Sequence, residues 1–113
     1  MKDGPDIALV ASLIGDPARA NMLLGLMDGG SLSAGELAEE AGLALSTTSW
    51  HLSKLQAAGL IAGRKDGRNR FFSIADASVA ELLEKLMIVS NHLGHTRQRP
   101  SSKAAQLKQC RVC

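Results

Sequence analysis

The 113-residue sequence is poor in aromatic residues, contains two cysteines and three prolines, and has no long hydrophobic run. With only Trp50, Phe71 and Phe72 as aromatic side chains, the core must be built from aliphatic residues. The longest apolar stretch, residues 7–15, is far shorter than the ~20 residues that a membrane-spanning helix requires. The opening MKDGPD is acidic and no small-residue cleavage site follows it, so no signal peptide is predicted. We therefore expect a cytoplasmic protein with no membrane partner.

The chain is long enough for one domain. Charged residues are distributed unevenly along it. Residues 1–40 contain seven acidic and two basic residues, a net charge of −5, whereas residues 41–113 contain eleven basic and four acidic residues, a net charge of +7. This asymmetry indicates a polyanionic partner for the basic half, with nucleic acid as the first candidate. We assign residues 1–95 to a folded domain and residues 96–113 to a basic, flexible tail.

Helical periodicity dominates the folded domain and predicts five helices. Asp16 and Pro17 are typical of an N-cap followed by a proline at the first helical position. Ser33 and Glu36 have the spacing of a capping box. The predicted helices cover about residues 7–14, 17–29, 33–41, 45–58 and 76–94.

Two strand candidates, residues 60–64 and 70–74, lie between the fourth and fifth helices. The Asp66-Gly67 pair between them is a strong signal for a β-hairpin. Two short helices joined by a tight glycine-containing turn and followed by a basic hairpin form the outline of a winged helix-turn-helix. The predicted fold class is therefore mainly α with a small β-hairpin.

The fourth helix has two distinct faces. Thr48, Leu52 and Leu55 recur at the spacing of a buried stripe, while short hydroxyl side chains share another face with Trp50. A helix with such side chains can approach base edges and phosphates in the major groove. The predicted DNA contacts on this helix are Ser46, Thr47, Ser49, Trp50, Ser53 and Lys54. Trp50 could instead be half-buried against the third helix, and His51 is interpreted as mainly structural.

The predicted hairpin has a concentration of basic residues. Extended spacing would let alternate side chains reach a phosphate backbone or a minor groove, although a merely soluble surface hairpin is the alternative. The predicted contacts here are Arg64, Lys65, Arg68, Asn69 and Arg70. If four bases per chain each neutralised one phosphate, a dimer would make about eight contacts and give a log–log salt slope of about −7.

The first and last helices predict a homodimer. Their apolar stripes are broader than one small domain can cover, and uncovered stripes of this kind mark interfaces. The predicted interface residues are Ile7, Val10, Ile14, Leu82, Leu86 and Val89. A two-fold dimer would place two copies of the fourth helix about one DNA turn apart.

Several short motifs resemble, in order, those of the ArsR family of bacterial winged-helix repressors. They are LIGDPAR at 13–19, ELA at 36–38, STTSWHLSKL at 46–55, AGL at 58–60 and GR at 67–68. The resemblance covers roughly residues 7 to 90. It implies a homodimer, paired through its first and last helices, that binds operator DNA and is released by a metal, metalloid or other signal. Residues 107–113 also resemble the point at which a longer subgroup of the family continues, which implies a shortened member.

Two residue pairs are candidates for an inducer site: His92 with His95, and Cys110 with Cys113 in a C-x-x-C motif. Neither pair supplies the three or four ligands of a closed metal site. In the metal site that the family resemblance implies between the paired last helices, Asp76 could be one ligand, but Ser78 stands where another is needed, and His92 and His95 lie about one turn too far along. The family's cysteine pair on the third helix is absent from residues 32–43. We predict no cofactor and leave the inducer open among metals, metalloids, redox signals and small molecules.

The sequence predicts a DNA-binding transcriptional regulator, a homodimeric repressor that binds double-stranded operator DNA, rather than an enzyme. His51 and the neighbouring serines lie on one helix without a positioned acid, which is not a catalytic arrangement. Two alternatives remain open. One is a winged-helix module that binds a protein through Trp50 and no longer binds DNA. The other is a thiol- or metal-handling protein that uses Cys110 and Cys113.

Overall fold

Residues 3–97, which the computed structural model describes, form five helices and three short strands. In chain order the elements are α1 (Ile7–Gly15), α2 (Pro17–Gly29), β1 (Leu32–Ser33), α3 (Ala34–Ala41), α4 (Leu45–Ala57), β2 (Ile61–Asp66), β3 (Asn69–Ile74) and α5 (Ala77–His92). The predicted mainly α fold with a hairpin between the fourth and fifth helices is confirmed. The predicted tail lies outside the described residues from residue 98 onward, and so do Cys110 and Cys113.

Side-chain caps set the starts of α2 and α3 as predicted. The backbone N–H of Arg19 donates to the Asp16 carboxylate over 3.0 Å, and Pro17 is the first residue of α2. At α3 the backbone N–H of Glu36 donates to Ser33 Oγ over 3.1 Å, and that of Ser33 donates to Glu36 Oε1 over 2.9 Å. These bonds satisfy N–H groups that have no partner within the helix, and so fix where each helix begins.

The sheet contains a strand, β1, that the sequence analysis did not predict. Leu32 and Ser33 pair antiparallel with Phe72 and Phe71 of β3, giving the strand order β1-β3-β2. Two residues are too few to show the alternation that marks a strand, and Ser33 also serves as the cap of α3. The unpredicted strand therefore joins the start of the helix-turn-helix to the hairpin.

The hairpin strands are longer than predicted because the turn between them is shorter. Asp66 pairs with Asn69, which leaves only Gly67 and Arg68 in the turn. Gly67 has a φ of 65°, a conformation that glycine adopts without steric penalty. Lys65 is consequently a strand residue and not part of a loop.

The core is mainly aliphatic, as predicted, but also contains the aromatic Phe72, and it lies where α2, α3, α4 and the sheet meet. It is centred on Met22, Leu23 and Leu26 of α2, with Leu37, Leu52, Leu55, Leu60, Ile61, Phe72 and Leu83 around them. No residue of α1 is buried, and Leu83 is the buried residue of α5. The two outer helices therefore leave most of their apolar side chains exposed in a single protomer.

The junction between α1 and α2 is a sharp bend of 88°. Among residues 3–97, no single helix has both the length and the hydrophobicity to cross a membrane. The bent pair of α1 and α2 reaches that threshold together, by length and composition only.

Thr48 is a core residue of α4 with an unsatisfied hydroxyl group. Its exposed fraction is 0%, and its Oγ1 has no hydrogen-bond partner. Because a buried polar atom without a partner is destabilising, we expect Thr48→Val to raise the free energy of unfolding by about 1 kcal/mol. Chemical denaturation measures this change, with Thr47→Val on the exposed face as the matched control, expected to have little effect. A less stable Thr48→Val protein would show that the hydroxyl is hydrogen-bonded after all.

Candidate nucleic-acid interface

The exposed side of α4 carries the residues that were predicted to contact DNA, and we call this set the contact face. The opposite side, with Thr48, Leu52 and Leu55, is buried against the core as predicted. The contact face consists of Ser46, Thr47, Ser49, Trp50, Ser53 and Lys54, all of them exposed. Packing of the opposite side against the core thus holds α4 in place, while the hydroxyl, indole and ammonium groups of the contact face are exposed.

Trp50 is the largest side chain of the contact face. The residue is 56% exposed, and Lys54 Nζ lies 4.5 Å from the centroid of its indole ring. The His51 ring meets it edge to face at 5.0 Å. The ring is therefore flanked by two residues of its own helix and presents apolar surface to solvent next to a positive charge.

His51 is buried and joins α4 to the α1–α2 junction. Its Nδ1 lies 3.0 Å from Nη1 of Arg19, and the Arg19 Nε donates to the backbone carbonyl of Leu13 over 2.7 Å. The interpretation of His51 as mainly structural agrees with this contact, but the sequence analysis missed Arg19 as its partner. The one available signal was the position of Arg19 in the motif at residues 13–19.

The wing, which we define as the hairpin of residues 61–74, carries basic residues on both faces and at its tip. Lys65 pairs directly with Arg70 across the strands, and Arg64 pairs with Phe71. Because successive residues of a strand point to opposite faces, Arg64 and Lys65 lie on different faces. Arg68 is in the two-residue turn. Like charges directly opposite each other are destabilising, so an anion bound between Lys65 and Arg70 would relieve their repulsion.

Arg70 differs from the other basic residues of the wing because it also contacts α4. Its Nη2 donates to Gln56 Oε1 over 3.3 Å, and its guanidinium carbon lies 5.2 Å from the centroid of the Phe72 ring. Gly63 makes room for this contact, since a Cβ there would lie 3.1 Å from Gln56 Nε2. Arg70 thus connects the wing to the helix that bears the contact face, whereas the sequence analysis treated all the wing bases alike.

Four of the six residues predicted to form the dimer interface are exposed, whereas Val10 and Ile14 are partly buried and pack against the core; the exposed ones are Ile7, Leu82, Leu86 and Val89. Ile7 is 76% exposed and Leu86 41%, and Met87, Ile88 and Leu93 add exposed apolar surface that the prediction did not include. A groove of about 670 Å³ runs along this side between α2 and α5, lined in part by Ile14. An exposed apolar surface of this kind is typical of a site for association.

Of the candidate metal ligands, His92 and His95 are among the described residues, and Cys110 and Cys113 lie outside them. Among residues 3–97, no three His, Cys, Asp or Glu side chains are grouped so that they could hold a metal ion. The Asp76 carboxylate caps α5 instead: it accepts from the Ser78 hydroxyl and from the backbone N–H groups of Ser78 and Val79. These hydrogen bonds, with that from the Ser78 hydroxyl foremost, hold the pKa of Asp76 below its usual value. His92 is the last residue of α5 and His95 lies beyond it, and Ser78 beside the capping Asp76 is not a metal-ligating residue, so one chain supplies an incomplete ligand set for the metal site that the family resemblance implies.

Comparison with known proteins places these features in a family. Residues 14–64 match a helix-turn-helix domain family. The uncharacterized HTH-type transcriptional regulator YdfF of Bacillus subtilis is 38% identical over 109 residues, which are 96% of this chain and 48% of that protein. The chain therefore spans about half the length of that relative. The HTH-type transcriptional regulator CmtR of Mycobacterium tuberculosis is 35% identical over 83 residues, 74% of this chain and 70% of CmtR.

A solved structure agrees with both the fold and the family. It is the homodimeric winged helix-turn-helix DNA-binding domain of a possible ArsR-family transcriptional regulator from Mycobacterium bovis. The TM-score is 0.72 at 26% identity, and the match covers 87% of this chain and 98% of that one. The sequence motifs, the winged helix-turn-helix fold and these relatives together confirm the resemblance noted from sequence: the chain belongs to the ArsR family of helix-turn-helix transcriptional regulators.

Proposed function

We propose that this chain is a homodimeric transcriptional repressor of the cytoplasm that binds palindromic operator DNA and is released by an unidentified metal, metalloid, redox or small-molecule signal. The observation that carries the proposal is the exposed contact face of α4 beside a wing with basic residues on both faces and at its tip. Residues 1–95 form the DNA-binding and dimerisation domain in this proposal, and residues 96–113 form a basic tail. The chain acts by binding and has no catalytic role.

The contact face and the wing make different contributions to DNA binding. Hydroxyl groups such as those of Ser46 and Ser49 can bond to base edges or to phosphates, and the Trp50 ring suits a sugar or a thymine methyl group. Arg64, Lys65, Arg68 and Arg70 supply sequence-independent attraction to phosphates, and Asn69 adds a groove contact. The wing therefore provides most of the affinity, and the contact face provides most of the sequence preference.

Dimerisation completes the site. The exposed apolar residues of α1 and α5 pair with those of a second copy, which brings two contact faces onto one side of the dimer. Two such faces read half-sites about one helical turn apart, which requires a palindromic operator. A homodimeric neighbour structure and relatives named as transcriptional regulators support this proposal.

Selection of duplex DNA from a random-sequence pool tests the proposed function. We expect the purified protein to enrich a palindrome whose half-sites are about 10 base pairs apart, centre to centre. Enrichment of a single half-site would contradict the dimeric arrangement, and no enrichment at low salt would contradict DNA binding altogether.

The second candidate function is a protein-interaction module, and the exposure of Trp50 is the observation that favours it. A stable dimer that enriches no DNA would favour that candidate.

A further inference from the structure

Arg19 makes three contacts that join α1, α2 and α4. From the first turn of α2, its Nε donates to the carbonyl of Leu13 over 2.7 Å and its Nη2 donates to the carbonyl of Ser12 over 3.4 Å. Its Nη1 lies 3.0 Å from Nδ1 of His51 on α4. One partly buried guanidinium therefore bonds the last turn of α1 and the buried side of α4 at the same time.

The chemistry of these contacts fixes their direction. A guanidinium group is always protonated and can only donate, so His51 Nδ1 must accept and the ring of a neutral His51 carries its proton on Nε2. Ser12 and Leu13 are among the last four residues of α1, whose carbonyls lack donors within the helix. The positive charge of Arg19 thus lies at the negative end of the α1 dipole. Each of the three bonds is charge-assisted and depends on the fork geometry of arginine.

The position of α1 gives this connection its importance. α1 contributes no buried residue to the protomer, and it carries part of the apolar surface assigned to the dimer interface. In the proposed dimer the two-fold axis passes through the α1 and α5 interface, whereas the DNA contacts lie on α4. The distance and angle between the two contact faces therefore depend on how firmly α4 is held relative to α1.

We propose that Arg19 is a positioning residue: through His51 it holds α4 at a fixed orientation relative to α1 and so sets the half-site spacing that the dimer reads. This inference rests on the proposed function. A role limited to folding would lower affinity equally for every DNA spacing, because it would change only the fraction of folded protein. A positioning role instead changes the preference between spacings.

The test uses the duplex that the wild-type protein enriches from a random pool, with versions in which the half-sites are one base pair closer or farther apart. His51→Leu removes the acceptor. His51→Asn keeps an acceptor, because the amide oxygen of asparagine is bonded to Cγ, as Nδ1 of histidine is. Arg19→Lys keeps the positive charge but loses the planar guanidinium group with its several N–H donors. Binding constants are measured for the folded dimer, whose fraction is determined for each variant in the same buffer.

We expect His51→Leu and Arg19→Lys to bind the selected duplex about 10-fold more weakly and to lose much of the discrimination between spacings. His51→Asn is expected to keep both affinity and discrimination within about 3-fold of wild type. If His51→Leu does not fold, Arg19→Lys and His51→Asn still decide the question.

Two results would overturn the inference alone: wild-type spacing discrimination in a folded His51→Leu or Arg19→Lys dimer, or a His51→Asn protein as impaired as the leucine or lysine variant. Failure of the wild-type protein to enrich any duplex would overturn the proposed function and this inference together.

Discussion

Replacing Leu86 with glutamate is expected to convert the protein from a dimer to a monomer and to weaken binding to its selected operator at least about 100-fold. Leu86 lies on α5 within the apolar surface assigned to the interface, and it is 41% exposed in the protomer, so a charged side chain there is tolerated by the monomer. In a dimer the same carboxylate would be buried without a partner, which is strongly unfavourable. Loss of the dimer also separates two half-site contacts that otherwise act as one binding event.

Sedimentation or light scattering measures the oligomeric state, and titration of labelled duplex measures the affinity. The matched control for the oligomeric state is Leu45→Glu, because Leu45 is a comparably exposed leucine at the start of α4 and outside α1 and α5. The control protein should stay dimeric. A dimeric Leu86→Glu protein with full operator affinity would rule out α5 as the interface.

The second large effect is expected from the wing. Arg68→Ala combined with Arg70→Ala removes four of the eight phosphate contacts proposed for a dimer, so the log–log salt slope should fall from about −7 to about −3.6. Affinity should decrease for every DNA sequence, because phosphate contacts carry no direct sequence information, and it should decrease further for the selected duplex, because the bond from Arg70 to Gln56 is also lost. Titrations at several salt concentrations, with selected and with random duplex, measure both quantities.

Two further variants separate charge from geometry in the wing. The double variant Arg68→Lys and Arg70→Lys keeps all charges and should preserve the salt slope. Arg70→Ala alone should also reduce sequence discrimination, because it removes the hydrogen bond to Gln56 that joins the wing to α4. Arg68→Ala alone should not, since Arg68 lies in the turn. A salt slope unchanged by the double alanine substitution would show that the wing does not contact phosphates.

Local patterns predicted those parts of the fold and the candidate site that depend on neighbours in sequence. The two faces of α4 follow from helical spacing, since Thr48 and Leu52 are four residues apart and lie on the same side. The capping box of Ser33 and Glu36 and the turn at Gly67 each depend on a few adjacent residues. These features are determined locally, so the sequence was sufficient to place them.

Features that depend on distant residues were not predictable in this way. The bond between Arg19 and His51 joins positions 32 residues apart, and no local pattern indicates which side chain faces the buried histidine. The strand β1 exists only because Leu32 meets Phe72 of the wing. The exposed apolar residues of α5 were predicted as a stripe, but the partner proposed for them is another molecule, which the sequence of one chain does not describe.

No residue of α1 is fully buried within its own protomer, although Val10, Leu13 and Ile14 pack against the core, so part of the stability of α1 in the proposed repressor comes from the second copy. An unpaired chain would expose this helix and its backbone to proteases far more often than a paired one. The concentration of the protein would therefore determine how fast it is degraded as well as how fully its operator is occupied. When growth dilutes the protein, a larger fraction of it would be unpaired and degraded. The repressor would then be lost faster than by dilution alone, and transcription would resume more abruptly.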